Sequence, residues 1–279
     1  MIDHQRIQVR PLAGALGAEI SGVDLRDLDD HVMAEIRRAW LEHLVVVFRD
    51  QQLDADQYLT FARRVGAPIE YPFVPGLADH PEITAVVKRE DETVNFGGIW
   101  HSDTAYLDEP PMATMLLARE IPPVGGDTLF ANMYRAYETL SPGLQGVLEG
   151  LEAVNSSALA DVSATREDRR RESGVDEEDV EFEAIHPVVR THPETGRKAL
   201  YVNVAHTARF ASMTEDESRP LLDFLFRHQV KPEHTLRVSW RVGTLTLWDN
   251  RCAQHNPVND YHGHRRVMHR ITLTGDRPS

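Results

Sequence analysis

Short apolar runs separated by turn residues constrain the fold of this chain most strongly. Eight runs have the length and the β-branched or aromatic content of strands: Leu44–Phe48, Ile83–Val87, Met112–Ala118, Thr128–Phe130, Ala199–Asn203, Leu236–Trp240, Thr244–Trp248 and Val267–Leu273. Gly, Pro and Asp residues lie between them. Strands and helices do not alternate regularly, which disfavours a parallel α/β sheet. The pattern predicts a mainly β fold, an antiparallel jelly roll with inserted helices.

Four segments carry helix signals. Helix starts are predicted at Asp30, at Asp54 and Thr214, which each precede a Gln or Glu in capping-box spacing, and at Ser141, which precedes a proline. Apolar residues follow each start at helical spacing. We therefore expect helices over 30–41 and 54–65, and from 141 and 214 onward.

Charge and composition limit the partners of the chain. Its 279 residues include 30 Lys and Arg against 44 Asp and Glu, a formal net charge of −14. Such a balance repels phosphate backbones and anionic lipids, so neither nucleic acid nor membrane is an expected partner.

Cys252 is the single cysteine, so no intrachain disulfide can form, and no secretory segment precedes the fold. We therefore expect a cytoplasmic protein. Without linkers or repeats, residues 1–279 are predicted to form one domain.

One segment differs from its surroundings. Residues 156–183 are rich in Arg, Asp and Glu and nearly lack large apolar side chains. Such a composition indicates an excursion from the core. Two interpretations are open, a solvated loop and an active-site lid.

A histidine and an aspartate two residues apart, His101 and Asp103, are the first candidate metal ligands. In an extended segment, residues i and i+2 point to the same face, so both can reach one ion. The same spacing begins at His80 and at His192, so spacing alone does not decide. The segment after His192 has the composition of a surface turn between strands. His101 instead follows a glycine-hinged segment that ends in Trp100.

A second imidazole is available near the C-terminus. His255 follows the predicted strand 244–249 and a turn at Asn250-Arg251. Two histidines and one carboxylate leave coordination positions open, which suits a non-haem Fe(II) that binds an organic chelator and dioxygen. For any one of these histidines, a hydrogen-bonded core or loop position is the alternative.

Two arginines and a threonine are candidates for binding a carboxylate near this site. Arg266 and Arg270 are four residues apart and share one face of the last predicted strand, where their guanidinium groups can bind carboxylates. Thr128 begins a strand after a Gly-Gly-Asp turn and can support the same carboxylate. Surface salt bridges and a structural threonine are the alternatives.

Five motifs, in order along the chain, resemble those of the taurine/α-ketoglutarate dioxygenase (TauD/TfdA) family. They are Trp100-His101-Ser102-Asp103, Gly125-Gly126-Asp127-Thr128, HPVVRTHP at 186–193, Trp248-Asp249-Asn250-Arg251 through His255, and Arg265-Arg266-Val267-Met268-His269-Arg270. The likeness extends from Pro11 to Pro278. It implies a double-stranded β-helix and an oxidoreductase that uses Fe(II), α-ketoglutarate and O2. Such an enzyme hydroxylates a C–H bond of a small anionic substrate, a sulfonate, sulfate ester or carboxylate, and releases succinate and CO2.

The resemblance also assigns residues by matching position. The implied iron ligands are His101, Asp103 and His255. The implied α-ketoglutarate residues are Thr128 and Arg266 at the distal carboxylate and Arg270 near the chelating end.

The implied substrate-facing positions are Tyr71, Gly97, Thr104, His206 and Arg270, the last as an anion anchor. Tyr71 stands where the taurine enzymes have a histidine, Gly97 where they have an asparagine, and His206 where they have a phenylalanine. These three differences argue against taurine as the substrate. Dimers or tetramers would fit the family.

Two other classes remain open at this stage. A zinc-dependent hydrolase could use the same three ligands to activate water. A non-catalytic jelly-roll binding protein could retain the shape alone, although both arginines and all three ligands are present. Dependence of turnover on O2 and α-ketoglutarate distinguishes these classes.

Overall fold

The computed structural model describes residues 6–71, 74–95, 97–159 and 181–279. Its strands are β1 (Gln8–Pro11), β2 (Ala18–Ser21), β3 (Val45–Phe48), β4 (Pro68–Ile69), β5 (Ile83–Lys88), β6 (Ala113–Glu120), β7 (Thr128–Asn132), β8 (Glu152–Ser156), β9 (Glu183–Pro187), β10 (Val189–Thr191), β11 (Lys198–Leu200), β12 (Thr207–Phe210), β13 (Thr235–Val238), β14 (Leu245–Asp249), β15 (Ala253–Pro257) and β16 (Arg266–Leu273). Its helices are α1 (Asp30–His43), α2 (Ala55–Val65), α3 (Met133–Glu138), α4 (Pro142–Leu148) and α5 (Glu215–Gln229), with a short 3-10 helix at Pro232–His234. The predicted mainly β fold with inserted helices is confirmed.

The helix starts follow the capping signals in the sequence. Asp54 and Thr214 form complete capping boxes, and Ser141 accepts a hydrogen bond from the backbone as the N-cap of α4. For α1 the N-cap is Asp29, one residue before the predicted start. The six-residue helix α3 was not predicted, because it is too short for an apolar period and its signal is the capping residue Asn132.

The main sheet has eight strands in the order β1-β2-β3-β14-β6-β16-β4, with β5 also paired to β16. All its pairs are antiparallel except β2 with β3. In β3, Val46 and Phe48 pack with the core under helices α1 and α2, whereas Val45 and Val47 pack with the core on the other face. Side chains alternate between faces along a strand, so one face of the sheet is covered by helices and the other lines the interior of the roll.

A second sheet, β13-β7-β15, covers that inner face. Phe130 of β7 and Trp248 of β14 join the two sheets, with ring centroids 5.5 Å apart, and both belong to one buried apolar cluster. Two facing antiparallel sheets are the architecture of a jelly roll. The inner, concave side of this roll carries the polar side chains described below.

Some predicted details differ in the structure. The strand predicted at 199–203 ends at Leu200, where its hairpin with β10 ends. His192 lies in the turn of that hairpin as expected, but its predicted surface position is wrong, because it is 1% exposed and bound to Asp249. Of the segment 156–183, predicted as a solvated loop or a lid, residues 160–180 lie outside the described residues. In the described part of the chain, no helix is long and apolar enough to cross a membrane.

Candidate metal centre

Backbone pairing brings His101 and His255 together. The amide of each histidine donates to the carbonyl of the other, at 3.0 Å and 2.8 Å. His255 lies in β15 at the edge of the second sheet, and the segment at His101 extends that edge by one bridge. The two imidazole centroids are 4.1 Å apart. Residues 154 positions apart in the sequence thus reach one point.

Asp103 completes a buried group with these two imidazoles. Its Oδ1 lies 3.8 Å from His101 Nε2 and 4.0 Å from His255 Nε2. The three side chains are 5 to 8% exposed, and their ligand atoms all lie within 4.8 Å of one another. These separations are too long for hydrogen bonds, so the donor atoms are not spent on each other. Such a group could hold a metal ion.

His101 is held in the tautomer that binds metals, and both histidines are neutral. His101 Nδ1 lies 2.6 Å from the carbonyl oxygen of Ile99, which places the ring proton on Nδ1 and leaves the Nε2 lone pair toward the site. Burial lowers the pKa of His101 and, more strongly, that of His255, where the neighbouring His101 adds to the effect. Both imidazoles are therefore neutral near pH 7, as metal ligation requires.

The second oxygen of Asp103 is held by neighbours in the sheet. Asp103 Oδ2 accepts hydrogen bonds from Thr114 Oγ1 at 2.5 Å and Asn250 Nδ2 at 3.4 Å. Trp248 Nε1 in turn donates to Asn250 Oδ1 at 2.9 Å. Burial alone would raise the pKa of Asp103, but Arg270, 2.9 Å from Oδ1, and the hydrogen bond from Thr114 hold that pKa far below its usual range. The carboxylate is ionised, fixed through Oδ2 and directed at the histidines through Oδ1.

A second polar pocket surrounds Arg266. This residue is 6% exposed, and its Nε and NH2 atoms have no hydrogen-bond partner among the described residues. Thr128, 1% exposed, accepts a hydrogen bond from Trp240 Nε1 at 3.0 Å, so its own hydroxyl proton remains available to donate. Gly126 has φ +72°, and a Cβ there would lie 3.3 Å from Arg266 Cδ and from Tyr261 Cδ1. The glycine lets the loop pack closely against this pocket.

With this geometry in place, sequence comparison identifies the family. The model of the family described as "Taurine catabolism dioxygenase TauD, TfdA family" matches residues 8–272. The chain belongs to this family. TauD/TfdA membership makes it an α-ketoglutarate-dependent dioxygenase, an oxidoreductase that uses Fe(II), α-ketoglutarate and O2.

Similar proteins cover nearly the whole chain. An alkylsulfatase of Acinetobacter baylyi is 36% identical over 280 residues, 98% of this chain and 86% of the relative. An α-ketoglutarate-dependent sulfate ester dioxygenase of Pseudomonas putida is 33% identical, over 98% of this chain and 91% of the relative. The crystal structure of a putative α-ketoglutarate-dependent taurine dioxygenase from Burkholderia xenovorans has a TM-score of 0.83 at 34% identity, and covers 98% of this chain and 94% of that one. The TauD/TfdA jelly roll predicted from the motifs is thereby confirmed.

The residues present fit the groups that TauD/TfdA enzymes use. Two neutral imidazole nitrogens and one carboxylate oxygen are the donor set that suits a non-haem Fe(II) with open positions. Nε and NH2 of Arg266, which have no hydrogen-bond partner among the described residues, and the hydroxyl proton of Thr128 are donors that suit a carboxylate such as those of α-ketoglutarate. Arg270, which lies on the same face of β16 as Arg266, contacts Asp103 and so connects the two sets.

Two predicted substrate positions border His101. Gly97 has φ +68°, and a Cβ there would lie 3.0 Å from His101 Cε1 and 3.3 Å from Nε2. The ring of His206, 3% exposed, is centred 6.0 Å from that of His101 and 4.9 Å from that of Tyr106. Both positions therefore lie beside the imidazole whose Nε2 faces the site.

The other predicted substrate positions lie around Asp103. Thr104 follows Asp103 directly, is 6% exposed and has the unusual φ of +42°. Arg270 reaches Asp103 from β16, and its Cζ lies 4.6 Å from the ring centroid of half-buried Tyr71. The predicted substrate positions thus lie close to His101 or, directly or through Arg270, close to Asp103.

Sequence reasoning did not assign the residues that support this centre. Thr114 and Asn250 hold Asp103, and Trp240 and Tyr261 flank Arg266. Thr114 had a weak signal, because it is a polar residue inside an otherwise apolar strand. Asn250 lies in one of the five motifs, but the pattern does not show which carboxylate it contacts.

Proposed function

We propose that His101, Asp103 and His255 bind the Fe(II) of this dioxygenase. The observation that carries the proposal is their three ligand atoms, gathered in one buried group and not hydrogen-bonded to each other. Fe(II) in this place, with α-ketoglutarate and O2, supplies the oxidation of a substrate C–H bond with release of succinate and CO2. The chain itself fixes the ligands through Ile99, Thr114 and the backbone bridge.

Arg266 and Thr128 are proposed to bind the distal carboxylate of α-ketoglutarate. A planar guanidinium presents two parallel donors to a carboxylate, and Thr128 adds a hydroxyl proton. Because both residues are buried, the ion pair forms away from water, where it is strong. Arg270 lies beside Asp103, and we place the chelating end of α-ketoglutarate and the anionic group of the substrate near it.

The substrate is proposed to be a small organic anion with an apolar body. A pocket next to Arg270 is lined by Tyr71, Val74, Thr84, Ala85, Val86 and Val87. The cavity volume is about 20 Å³, room for about one water, so the pocket can contact only the part of the substrate next to its anion. Arg270 supplies the cation for a sulfonate, sulfate ester or carboxylate, and the apolar lining contacts the adjoining carbon atoms. The described residues of this lining include no acidic side chain, so the ammonium group of taurine has no ionic partner there.

A succinate-release screen tests this function. Purified enzyme with Fe(II) and α-ketoglutarate in air is offered alkyl sulfate esters, alkyl sulfonates, taurine, aryloxy acids and small carboxylates. We expect succinate with apolar anions and much less with taurine. Turnover of any of these substrates without O2 or α-ketoglutarate would instead support metal-dependent hydrolysis. The variant Arg270→Met should raise the KM for the anion.

We also propose a single-domain enzyme over residues 1–279 that acts in the cytoplasm as a dimer or tetramer and binds neither nucleic acid nor membrane. The net charge of −14 and the buried, unpaired Cys252 support this. Light scattering checks the assembly, cell fractionation the location, and sedimentation with DNA or anionic vesicles the absence of those partners.

A further inference from the structure

Lys88 is a buried cation with no role in the site described so far. It ends β5, is 4% exposed, and its Nζ has no hydrogen-bond partner among the described residues. The ammonium lies 4.3 Å from the centroid of the Tyr261 ring. A cation–π contact offsets only part of the cost of removing an ammonium from water. A buried ammonium without a hydrogen-bond partner is suited to bind an anionic ligand.

The position of Lys88 in the sheet places that anion beside Arg266. In the antiparallel pair of β5 and β16, Lys88 is directly opposite Arg266, so the two side chains project to the same face. Arg266 Cζ lies 6.0 Å from the same Tyr261 ring. Like charges at directly opposed positions destabilise a sheet, and neither cation forms an ion pair within the described part of the chain. The pair is therefore an electrostatic cost that a bound anion would remove.

Neighbouring residues fix this arrangement. The Tyr261 hydroxyl donates to Asn95 Oδ1 at 2.9 Å, which holds the ring under the ammonium. On the other side, Arg266 Cζ lies 5.7 Å from the ring of Trp240, whose Nε1 binds Thr128. Lys88, Arg266 and Thr128 are therefore connected through the rings of Tyr261 and Trp240 into one buried polar group.

We propose that Lys88 Nζ is a third group, with Arg266 and Thr128, that binds the distal carboxylate of α-ketoglutarate. The inference rests on the function proposed above and adds a second cation to it. One carboxylate then neutralises part of a two-cation pocket. Lys88 makes the site selective for a 2-oxo acid with a second carboxylate, and it acts on α-ketoglutarate without touching the substrate pocket at Arg270.

A cycle of variants and ligands tests this role. Lys88→Met keeps the length of the side chain and removes the charge. Binding of α-ketoglutarate and of oxalate is measured by calorimetry without O2, on protein loaded with Mn(II). Oxalate chelates the metal but has no distal carboxylate. We expect the Kd of α-ketoglutarate to rise about 10- to 100-fold in Lys88→Met, the loss of one charge-assisted contact, with the Kd of oxalate unchanged.

Thermal unfolding without ligand supplies a second readout. Because the two cations repel, ligand-free Lys88→Met should have a Tm equal to or above that of the wild type, while its stabilisation by α-ketoglutarate should be smaller. Lys88→Arg should keep most of the α-ketoglutarate affinity. Arg265→Met is the matched control, since Arg265 is an exposed cation next to Arg266 that pairs with Glu120 at 3.7 Å.

The outcomes separate the two proposals. Equal losses for α-ketoglutarate and oxalate, unchanged affinity for both, or a lowered Tm in ligand-free Lys88→Met would each overturn the role of Lys88. If wild-type protein bound oxalate but not α-ketoglutarate, both the proposed carboxylate site at Arg266 and the role of Lys88 would be wrong. If the affinity for α-ketoglutarate also fell tenfold in Arg265→Met, the effect would come from the net charge of the protein and not from a contact of Lys88.

Discussion

Among the described residues, two buried groups bring histidine and aspartate side chains within reach of one ion, and we propose that only one of them binds a metal. The first, the His101 cluster, consists of His101, Asp103 and His255. The second, the His192 cluster, consists of His192, Asp249, Arg251 and Cys252. In each, three potential ligand atoms lie within 4.8 Å of one another, and every residue is buried. Residue type and burial therefore do not distinguish them.

Hydrogen bonding does distinguish them. In the His192 cluster, His192 Nε2 lies 3.0 Å from Asp249 Oδ2, and Nδ1 accepts two backbone N–H groups, so the imidazole has no free lone pair. Arg251 binds both oxygens of Asp249, at 2.7 Å and 2.8 Å. In the His101 cluster, neither imidazole is within hydrogen-bond distance of the carboxylate. Asp103 Oδ1 does contact Arg270, at 2.9 Å, so the difference lies in the imidazoles, because a metal site needs nitrogen lone pairs that the fold leaves unused.

Adjacent residues serve the two clusters. Asp249 ends β14 and belongs to the His192 cluster, while Asn250 follows it and binds Asp103. Trp248, one residue earlier, packs on His255 with ring centroids 4.7 Å apart. The turn at 249–251 thus connects a structural ion-pair network to the proposed iron site. Substitutions matched between the clusters can test whether their functions are separate.

The largest expected difference comes from Asp103→Asn against Asp249→Asn. Asp103→Asn removes the anionic ligand, so succinate formation should fall by about 1,000-fold or more, as loss of a catalytic metal would cause. It should also abolish the rise in Tm that Mn(II) gives the wild type. Asp249→Asn should retain that rise in Tm. Loss of Mn(II) binding in Asp249→Asn alone would reverse the assignment of the two clusters.

Removal of one arginine from each cluster should separate their stabilities. Arg251→Met leaves the Asp249 carboxylate buried without its main partner, and we expect a loss of about 3 to 5 kcal/mol in the free energy of unfolding by urea. Arg270→Met leaves Asp103 in the same condition, but bound Mn(II) can replace that positive charge. Mn(II) should therefore recover stability in Arg270→Met and not in Arg251→Met. Equal recovery in both would show that the His192 cluster also takes up metal.

Acid should lower the folding stability by a smaller amount, through protonation of Asp249. Burial opposes ionisation of Asp249, but hydrogen bonds from Arg251 and His192 lower its pKa to about 2, against an ordinary value of 3.8. A carboxyl whose pKa is lower in the folded state stabilises the fold above pH 4, and this contribution disappears as the pH falls toward 2. It amounts to about 2 kcal/mol. The stability difference between wild type and Asp249→Asn should shrink over that range, and a constant difference would contradict the assignment.

Sequence patterns identified much of the fold because the signals are local. The capping residues Asp54 and Thr214 start helices at the predicted positions, and the strand predicted at 267–273 is β16, which holds Arg266 and Arg270. The edge strand β15, which holds His255, was not predicted, because its sequence AQHNP has no apolar pattern. Its place depends on pairing with β7, a long-range contact that no local pattern encodes.

Motifs likewise indicated the ligands but not their supports. His101 and Asp103 could be proposed from their spacing, whereas the roles of Thr114 and Lys88 depend on which strand pairs with which. The sequence also presented His192 as a turn residue at the surface. It is buried because Asp249, 57 residues away at the end of a different strand, reaches it, and Arg251 holds Asp249 in place.

The smallest expected effect concerns Cys252, the remaining potential ligand of the His192 cluster. Burial, with the nearby Asp249 carboxylate, raises the pKa of this thiol well above its ordinary value, so it stays protonated at neutral pH. A protonated thiol is a poor ligand even for Zn(II). Cys252→Ala should cost about 1 kcal/mol of stability for the lost buried atoms and leave Mn(II) and Zn(II) binding unchanged. If wild-type protein took up a further Zn(II) ion that Cys252→Ala did not, hydrogen bonding would not be what closes the second cluster to metals.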